Sequence, residues 1–276
     1  MSDRYSRNEG LFGAAGQARI AQSSVAIVGL GGLGSHLAQQ LAYLGVSQFG
    51  LIDFDIVTNS SLNRLVGAID ADVGAKIRKV AVAERLIWAV SPGAAVRCVD
   101  GPVDHPDAAA VVTAADVVFG CLDRELPRLQ LTELCSRHAR PYFDLASDTN
   151  TEGRDPWYGG RVVFCNGSGC LLCLGLLDQE EIRREAMTPD QAAADERIYG
   201  IRRTELGATG PSVISINATV ASLAVTEFMA YVTGLRPPIS HLIYRADQQT
   251  LRQRLDRPEP DCYYCKGIWG VGAGSS

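Results

Sequence analysis

Gly29, Gly31 and Gly34 stand in a G-x-G-x-x-G pattern, Gly32 and Ser35 fill it out, and Asp53 follows 24 residues after Gly29. Glycines so spaced let a backbone turn tightly and approach a phosphate, which then rests on the free N–H groups opening the next helix. An acid at the distance of Asp53 meets ribose hydroxyls. The chemistry implied is nucleotide binding. The alternative is that the glycines only let a helix pack closely on a strand. Beyond Asp53 come Asp55, Ser60, Ser61, Asn63 and Arg64, then Lys76, Arg78 and Lys79, and later Gly120-Cys-Leu-Asp123-Arg124. Cations and carboxylates converging on a glycine loop suit ATP, whose phosphates need positive charge and a magnesium ligand. NAD would instead require a hydride-acceptor site and a proton donor. Taken singly, Lys76 to Lys79 reads as a solvated helix face and Arg64 as surface charge, so their joint placement carries the reading. The four histidines, 36, 105, 138 and 241, are scattered and read as structural or surface groups.

A second cluster has metal-binding spacing. Cys170-Leu-Leu-Cys173 and Cys262-Tyr-Tyr-Cys265 are two C-x-x-C knuckles with 88 residues between them. Four thiolates on two such turns suit a tetrahedral structural zinc, the alternative being two unrelated pairs of buried or redox thiols. The chain opens MSDRYSRNEG without an apolar core to that stretch, so no export signal is expected and the eight cysteines are expected to be reduced in the cytoplasm. No apolar run near the roughly 20 residues of a membrane span is expected either. With 26 basic and 31 acidic residues the formal charge is −5, which offers no global field for nucleic acid or an anionic membrane.

These residues need rigid elements to hold them. Apolar runs at Val25–Leu30, 49–55, 95–99, 116–120 and 141–146 read as strands. Helical spacing lies between them at Ser35–Leu44, Lys76–Ala89, Pro106–Ala115 and Glu125–Arg137. This alternation implies an α/β fold with a doubly wound, Rossmann-like, mostly parallel sheet over residues 1–150. Residues 151–276 form a zinc-tied C-terminal extension packed on the same domain. RVVFCNGSGCLLC reads as a strand entering a turn, residues 177–204 as a solvated helix and mobile loop, and Pro211–Val232 as a helix buried on several sides or against a second subunit.

RYSRNEGLFGAAGQARI, GLGGLGS, DFDIVTNSSLNR and GCLDR, in this order and spacing, resemble the ThiF/MoeB/HesA family, bacterial relatives of ubiquitin-activating enzymes. The resemblance covers about Arg4 to Cys265. It implies ATP- and magnesium-dependent adenylation of the C-terminal carboxylate of a ubiquitin-like β-grasp protein or a peptide tail, in a homodimer. By motif position Gly32 and its neighbours would pack on phosphate, Asp53 would hold the ribose, Arg64 would contact phosphate and Asp123 would bind magnesium. Arg7 would reach the ATP of the opposite subunit. Family spacing for the activating lysine lands on Ile77, so Lys76 or Lys79 takes that role after a local shift. Ser61 and Arg124 stand where asparagines are usual, and a zinc beside the adenylation domain is common in the family.

Residues 174–261 contain no cysteine, and the position of the family's acyl-accepting cysteine in RTELGATGPSV holds Arg203. Cys98, Cys121 and Cys135 belong to core elements, leaving Cys165 as the nearest remaining thiol. The acyl adenylate is therefore expected to pass to an external nucleophile, such as a sulfur donor or a conjugating enzyme. Two other readings compete: an NAD-dependent oxidoreductase using the same loop, and a nucleotide-binding module without turnover, for which Ser61 and Ile77 would be marks of decay.

Overall fold

Apolar runs buried on both faces make the centre of the sheet, and β1 (Ser24–Val28), β2 (Gln48–Ile52), β4 (Val117–Gly120) and β5 (Tyr142–Asn150), with the more exposed edge strand β3 (Ala95–Val99), are mutually parallel. The computed structural model describes residues 3–150, 157–188, 190–191, 211–255 and 257–273. Three antiparallel strands, β6 (Trp157–Cys165), β7 (His241–Arg245) and β8 (Thr250–Gln253), extend the sheet to the order β3-β2-β1-β4-β5-β6-β7-β8. The sheet is thus doubly wound at its parallel end, and its helices cover both faces.

On one face lie α1 (Ser6–Gln22), α2 (Gly32–Leu44), α4 (Lys79–Val90) and α8 (Ile214–Thr233), burying side chains such as Leu37, Ile87 and Phe228 against Ile27, Phe119 and Phe143. Phe119 stacks on Phe143 at 5.4 Å between centroids and Phe143 on Phe164 at 4.4 Å, with Phe228 tilted onto Phe119 at 5.7 Å. On the other face lie α5 (Pro106–Ala114) and α6 (Glu125–Arg137), with the cysteine knuckles beside them. A seventh helix, α7 (Gln179–Glu185), follows the first knuckle and packs against α6.

Two expectations change. The helix expected over Lys76–Ala89 begins at Lys79, as α4, and is preceded by a short α3 (Asp70–Gly74) and a turn in which Lys76 takes a left-handed φ of 51°. The turn is pinned because the Asp72 carboxylate accepts the Ile69 N–H (2.9 Å) and pairs with Arg85 (2.7 Å), while Arg78 forms a bridge with Ile56. Second, α8 is long and apolar enough to cross a membrane, with a mean hydropathy of 1.2. It packs instead on α1, α2, β5 and β6 and carries the buried Glu227, held by Arg236 at 2.6 Å. Of the charged stretch 177–204, the expected helix is found as α7, and Arg203 lies outside the described residues.

Removing the ring that joins α8 to the sheet tests this core. Phe228→Ala is expected to cost about 3–5 kcal/mol of unfolding free energy by urea denaturation, as for other buried aromatic truncations. An unchanged midpoint would contradict the packing described.

Candidate active site

The strand order reverses between β1 and β4, and there the C-terminal strand ends open on a cleft of about 630 Å³. Crevices at such a switch point are where ligands bind in open α/β sheets. Gly29 makes the turn with φ +89°, and a Cβ on it would lie 2.5 Å from the Cys121 carbonyl oxygen. A Cβ on Gly34 would lie 2.0 Å from the Gly29 carbonyl oxygen, so α2 rides directly on the strand end. Gly31 caps α2 without a side-chain hydrogen bond, and Gly31, Gly32 and Leu33 line the cleft. The first-turn N–H groups there carry partial positive charge that a phosphate would satisfy.

Asp53 ends β2 at this wall. Its carboxylate accepts the Leu30 N–H at 2.6 Å and the Asp55 N–H at 2.8 Å. Burial raises its carboxyl above the usual range, opposed by Lys79 and by those two N–H donors. Lys79 is the first residue of α4 and reaches the cleft with its Nζ 2.6 Å from Asp55 Oδ2. Arg64 also lines the cleft, oriented by the Ser60 carbonyl and by Asn63 Oδ1 at 3.1 Å. Asp123 is exposed at the end of β4 and makes no hydrogen bond or ion pair with another described residue. Arg124 beside it pairs with Glu185 of α7 at 3.3 Å, and Glu185 also accepts the Leu126 N–H at 2.8 Å, tying α7 to the opening turn of α6.

Gly29, Gly31, Gly32, Asp53, Asp55, Arg64, Lys79, Asp123 and Arg124 therefore meet in one place. Other candidates lie outside the cleft lining. Lys76 is exposed on the turn before α4, where its left-handed backbone carries it away. The Ser35 hydroxyl is fully buried, donating to the Gly32 carbonyl at 3.2 Å and accepting the Val66 N–H at 3.1 Å, so it ties α2 to a loop and is not offered to a ligand. Ser61 is buried in a turn with Thr58, while Ser60 and Asn63 act by holding Arg64. Gly34 serves the helix–strand contact. Arg7 is exposed on α1 and lines no part of its own chain's cleft.

The cleft floor holds groups that pattern reading passed over. Asp144, in the apolar run of β5, is fully buried and accepts from Arg128 Nη1 at 3.0 Å and from the Tyr142 hydroxyl at 2.8 Å. Arg128 also donates to the Leu122 carbonyl at 2.6 Å. Arg161 of β6 approaches the same carboxylate at 3.9 Å. Asn217 of α8 crowds Gly32 so closely that a Cβ there would be 2.1 Å from its amide nitrogen. The signals were available: a charge inside the run YFDLA, and Arg128 one helical turn beyond Arg124.

Opposite the cleft on α6, the Sγ atoms of Cys170, Cys173, Cys262 and Cys265 lie within 4.8 Å of one another, with neighbouring pairs at 3.6–3.8 Å. Metal–sulfur bonds of about 2.3 Å in a tetrahedron give a sulfur spacing of about 3.8 Å, so the donor set fits a zinc ion. Cys165 is buried nearby, and desolvation raises its thiol well above the usual range.

A family model described as the ThiF family matches residues 5–264. The chain belongs to the ThiF family. This ThiF-family chain is 29% identical over 252 residues to the molybdopterin-synthase adenylyltransferase of Escherichia coli K12, covering 91% of this chain and 90% of that protein. It is 28% identical over 268 residues to the adenylyltransferase and sulfurtransferase MOCS3 of Drosophila ananassae, covering 95% of this chain and 53% of that protein. It thus spans about half of MOCS3. Crystal structures of E. coli MccB with ATP, and with AMPCPP and MccA, superpose with a TM-score of 0.72 at 20% identity; the match to the ATP structure covers 96% of this chain and 75% of the MccB chain.

The floor network has a thermodynamic signature. Arg128→Ala leaves the buried Asp144 with only Arg161 at 3.9 Å and the Tyr142 hydroxyl, and is expected to cost about 3 kcal/mol by denaturant unfolding. The double variant Arg128→Ala/Asp144→Ala should recover part of that loss, and strict additivity would contradict the pairing.

Proposed function

We propose that the cleft adenylates the C-terminal carboxylate of a ubiquitin-like protein or a peptide, releasing pyrophosphate from ATP. The observation that carries this reading is the convergence of α2's uncapped N-terminus, Asp53, Arg64, Lys79 and Asp123 on one crevice. The named adenylyltransferase relatives support it.

A C-terminal carboxylate has a pKa of roughly 3.5 and is ionised at neutral pH, so no general base is required. The obstacle is that one anion must approach another. A carboxylate oxygen bonds to the α-phosphorus, the bond to the bridging oxygen of pyrophosphate breaks, and pyrophosphate leaves with the electron pair. In this reading the N–H groups of Gly31 and Gly32 hold phosphate, Asp53 holds the ribose, and Arg64 and Lys79 stabilise charge developing on the phosphoryl group. Asp55, Ser60 and Asn63 set the directions of those two cations. Asp123 would hold magnesium, which neutralises phosphate charge when bound.

Arg7 would enter the site of a second copy, completing it in a homodimer. Zinc in the four-cysteine cluster would pin the C-terminal segment, so that residues 1–150 supply the nucleotide chemistry and residues 151–276 present the tail. Cys121 lines the cleft, but burial raises its thiol far above the usual range and leaves little thiolate, so in this reading the acyl adenylate passes to an outside nucleophile, a sulfur donor or conjugating enzyme, in the cytoplasm.

ATP–pyrophosphate exchange, run with candidate β-grasp proteins and peptides, tests the reaction. Asp123→Ala and Arg64→Ala should each lower exchange by about 100-fold or more. Full exchange in both variants would overturn the assignment. Separately, Cys262→Ser should release zinc and lower the thermal midpoint; a protein that keeps a full zinc equivalent would refute the four-thiolate site.

A further inference from the structure

Asp144 carries one negative charge in a fully buried position, and Arg128 at 3.0 Å with the Tyr142 hydroxyl at 2.8 Å already satisfies it. Arg161 stands farther off, at 3.9 Å, and contributes a second positive charge to the same carboxylate. Its side chain is 21% exposed, lines the cleft, and has a shielded Nε that no described residue accepts from. At the floor two guanidiniums thus face the one buried carboxylate, the remaining acid of this wall, Asp148, being exposed farther along β5. A partly desolvated guanidinium with an unused donor is costly unless an anion completes it.

Its location limits which anion that is. Arg161 pairs with Ala146 across β5 and β6, and Ala146 to Thr149 continue the cleft wall from there. Strand β6 lies three positions from β1, roughly 14 Å at the usual strand spacing. Lys79 opens α4 beyond β2, and Arg64 lies against Gly32, its Cδ 3.5 Å from where a Cβ there would stand. The phosphates bound at α2 are thus left to those two, and Arg161 faces what enters from the β5–β6 side.

Resting on the adenylation reading above, we propose that Arg161 is the docking cation for the terminal carboxylate of the tail before its activation. A guanidinium fork matches a carboxylate in two parallel hydrogen bonds, which fixes the direction of the attacking oxygen as well as its position. The contact is strongest with the free carboxylate, because forming the acyl–phosphate bond consumes that negative charge. Arg161 therefore acts mainly on tail affinity, and ATP affinity is independent of it.

The test uses the full chain with acetylglycylglycine, a neutral peptide ending in a free carboxylate, and its C-terminal amide as control. Binding is followed by chemical-shift titration at millimolar ligand, with ATP plus magnesium titrated separately by calorimetry. Wild type should bind the acid and not the amide, and Arg161→Gln should weaken the acid by about 10-fold or more, as for loss of a charged hydrogen bond. Its ATP affinity should stay within twofold, and Arg161→Lys should recover part of the acid binding. Equal binding of acid and amide by wild type, or unchanged acid binding by Arg161→Gln, would overturn the proposal. Loss of ATP affinity with acid binding intact would assign Arg161 to the phosphates instead. Absence of ATP binding in wild type would count against adenylation itself, while the acid–amide comparison, made without nucleotide, would still decide the role of Arg161.

Discussion

The crossing of α2 over the end of β1 governs the site. Gly34 and the Gly29 carbonyl touch so closely that no side chain fits between them, and Asn217 occupies the space a side chain on Gly32 would need. The helix can then aim its uncapped first turn into the crevice at the sheet's switch point. Because this positive end is made of backbone, it is fixed by packing and costs no reorganisation when an anion arrives. Asp53 belongs to the same construction, since it spans from the Leu30 N–H of the loop to the Asp55 N–H after β2.

Charge is organised around that contact. The chain is acidic overall, at −5, yet cations stand at the cleft, each held by a neighbour: Lys79 by Asp55, Arg64 by Ser60 and Asn63, and Arg128 by Asp144 and Leu122. Holding the cations in advance suits a reaction whose barrier is repulsion between two anions. Under the proposed adenylation no proton transfer is required, in keeping with a cleft lining that holds no histidine among the described residues.

Much of this was legible in the sequence, because the glycine spacing, the strand-ending acids and the paired knuckles are local patterns. The choice between Lys76 and Lys79 was not. It depends on Asp72 capping α3 and on the bridge from Ile56 to Arg78, which leave Lys76 in a turn and start α4 at Lys79. The placement of the Ser35 hydroxyl was not legible for a related reason, since its partner Val66 lies 31 residues away and no spacing rule reveals it. Strands β7 and β8 were missed because their sequences, HLIYR and TLRQ, mix polar and apolar residues at a sheet end that is only half buried. Helix α1 has little apolar periodicity and is kinked at Gly13; it is held instead by polar ties, Gln17 to the Leu44 carbonyl and Arg19 to the end of α8.

The central claim is that the glycine turn and its cations are built for a triphosphate, and a titration of the full chain with ATP plus magnesium beside NADH tests it most directly. The account predicts that ATP binds, that Lys79→Ala weakens it by about 10-fold or more through loss of a charged contact, and that NADH gives no binding signal. NADH bound as tightly as ATP, or an ATP affinity untouched by Lys79→Ala, would contradict it.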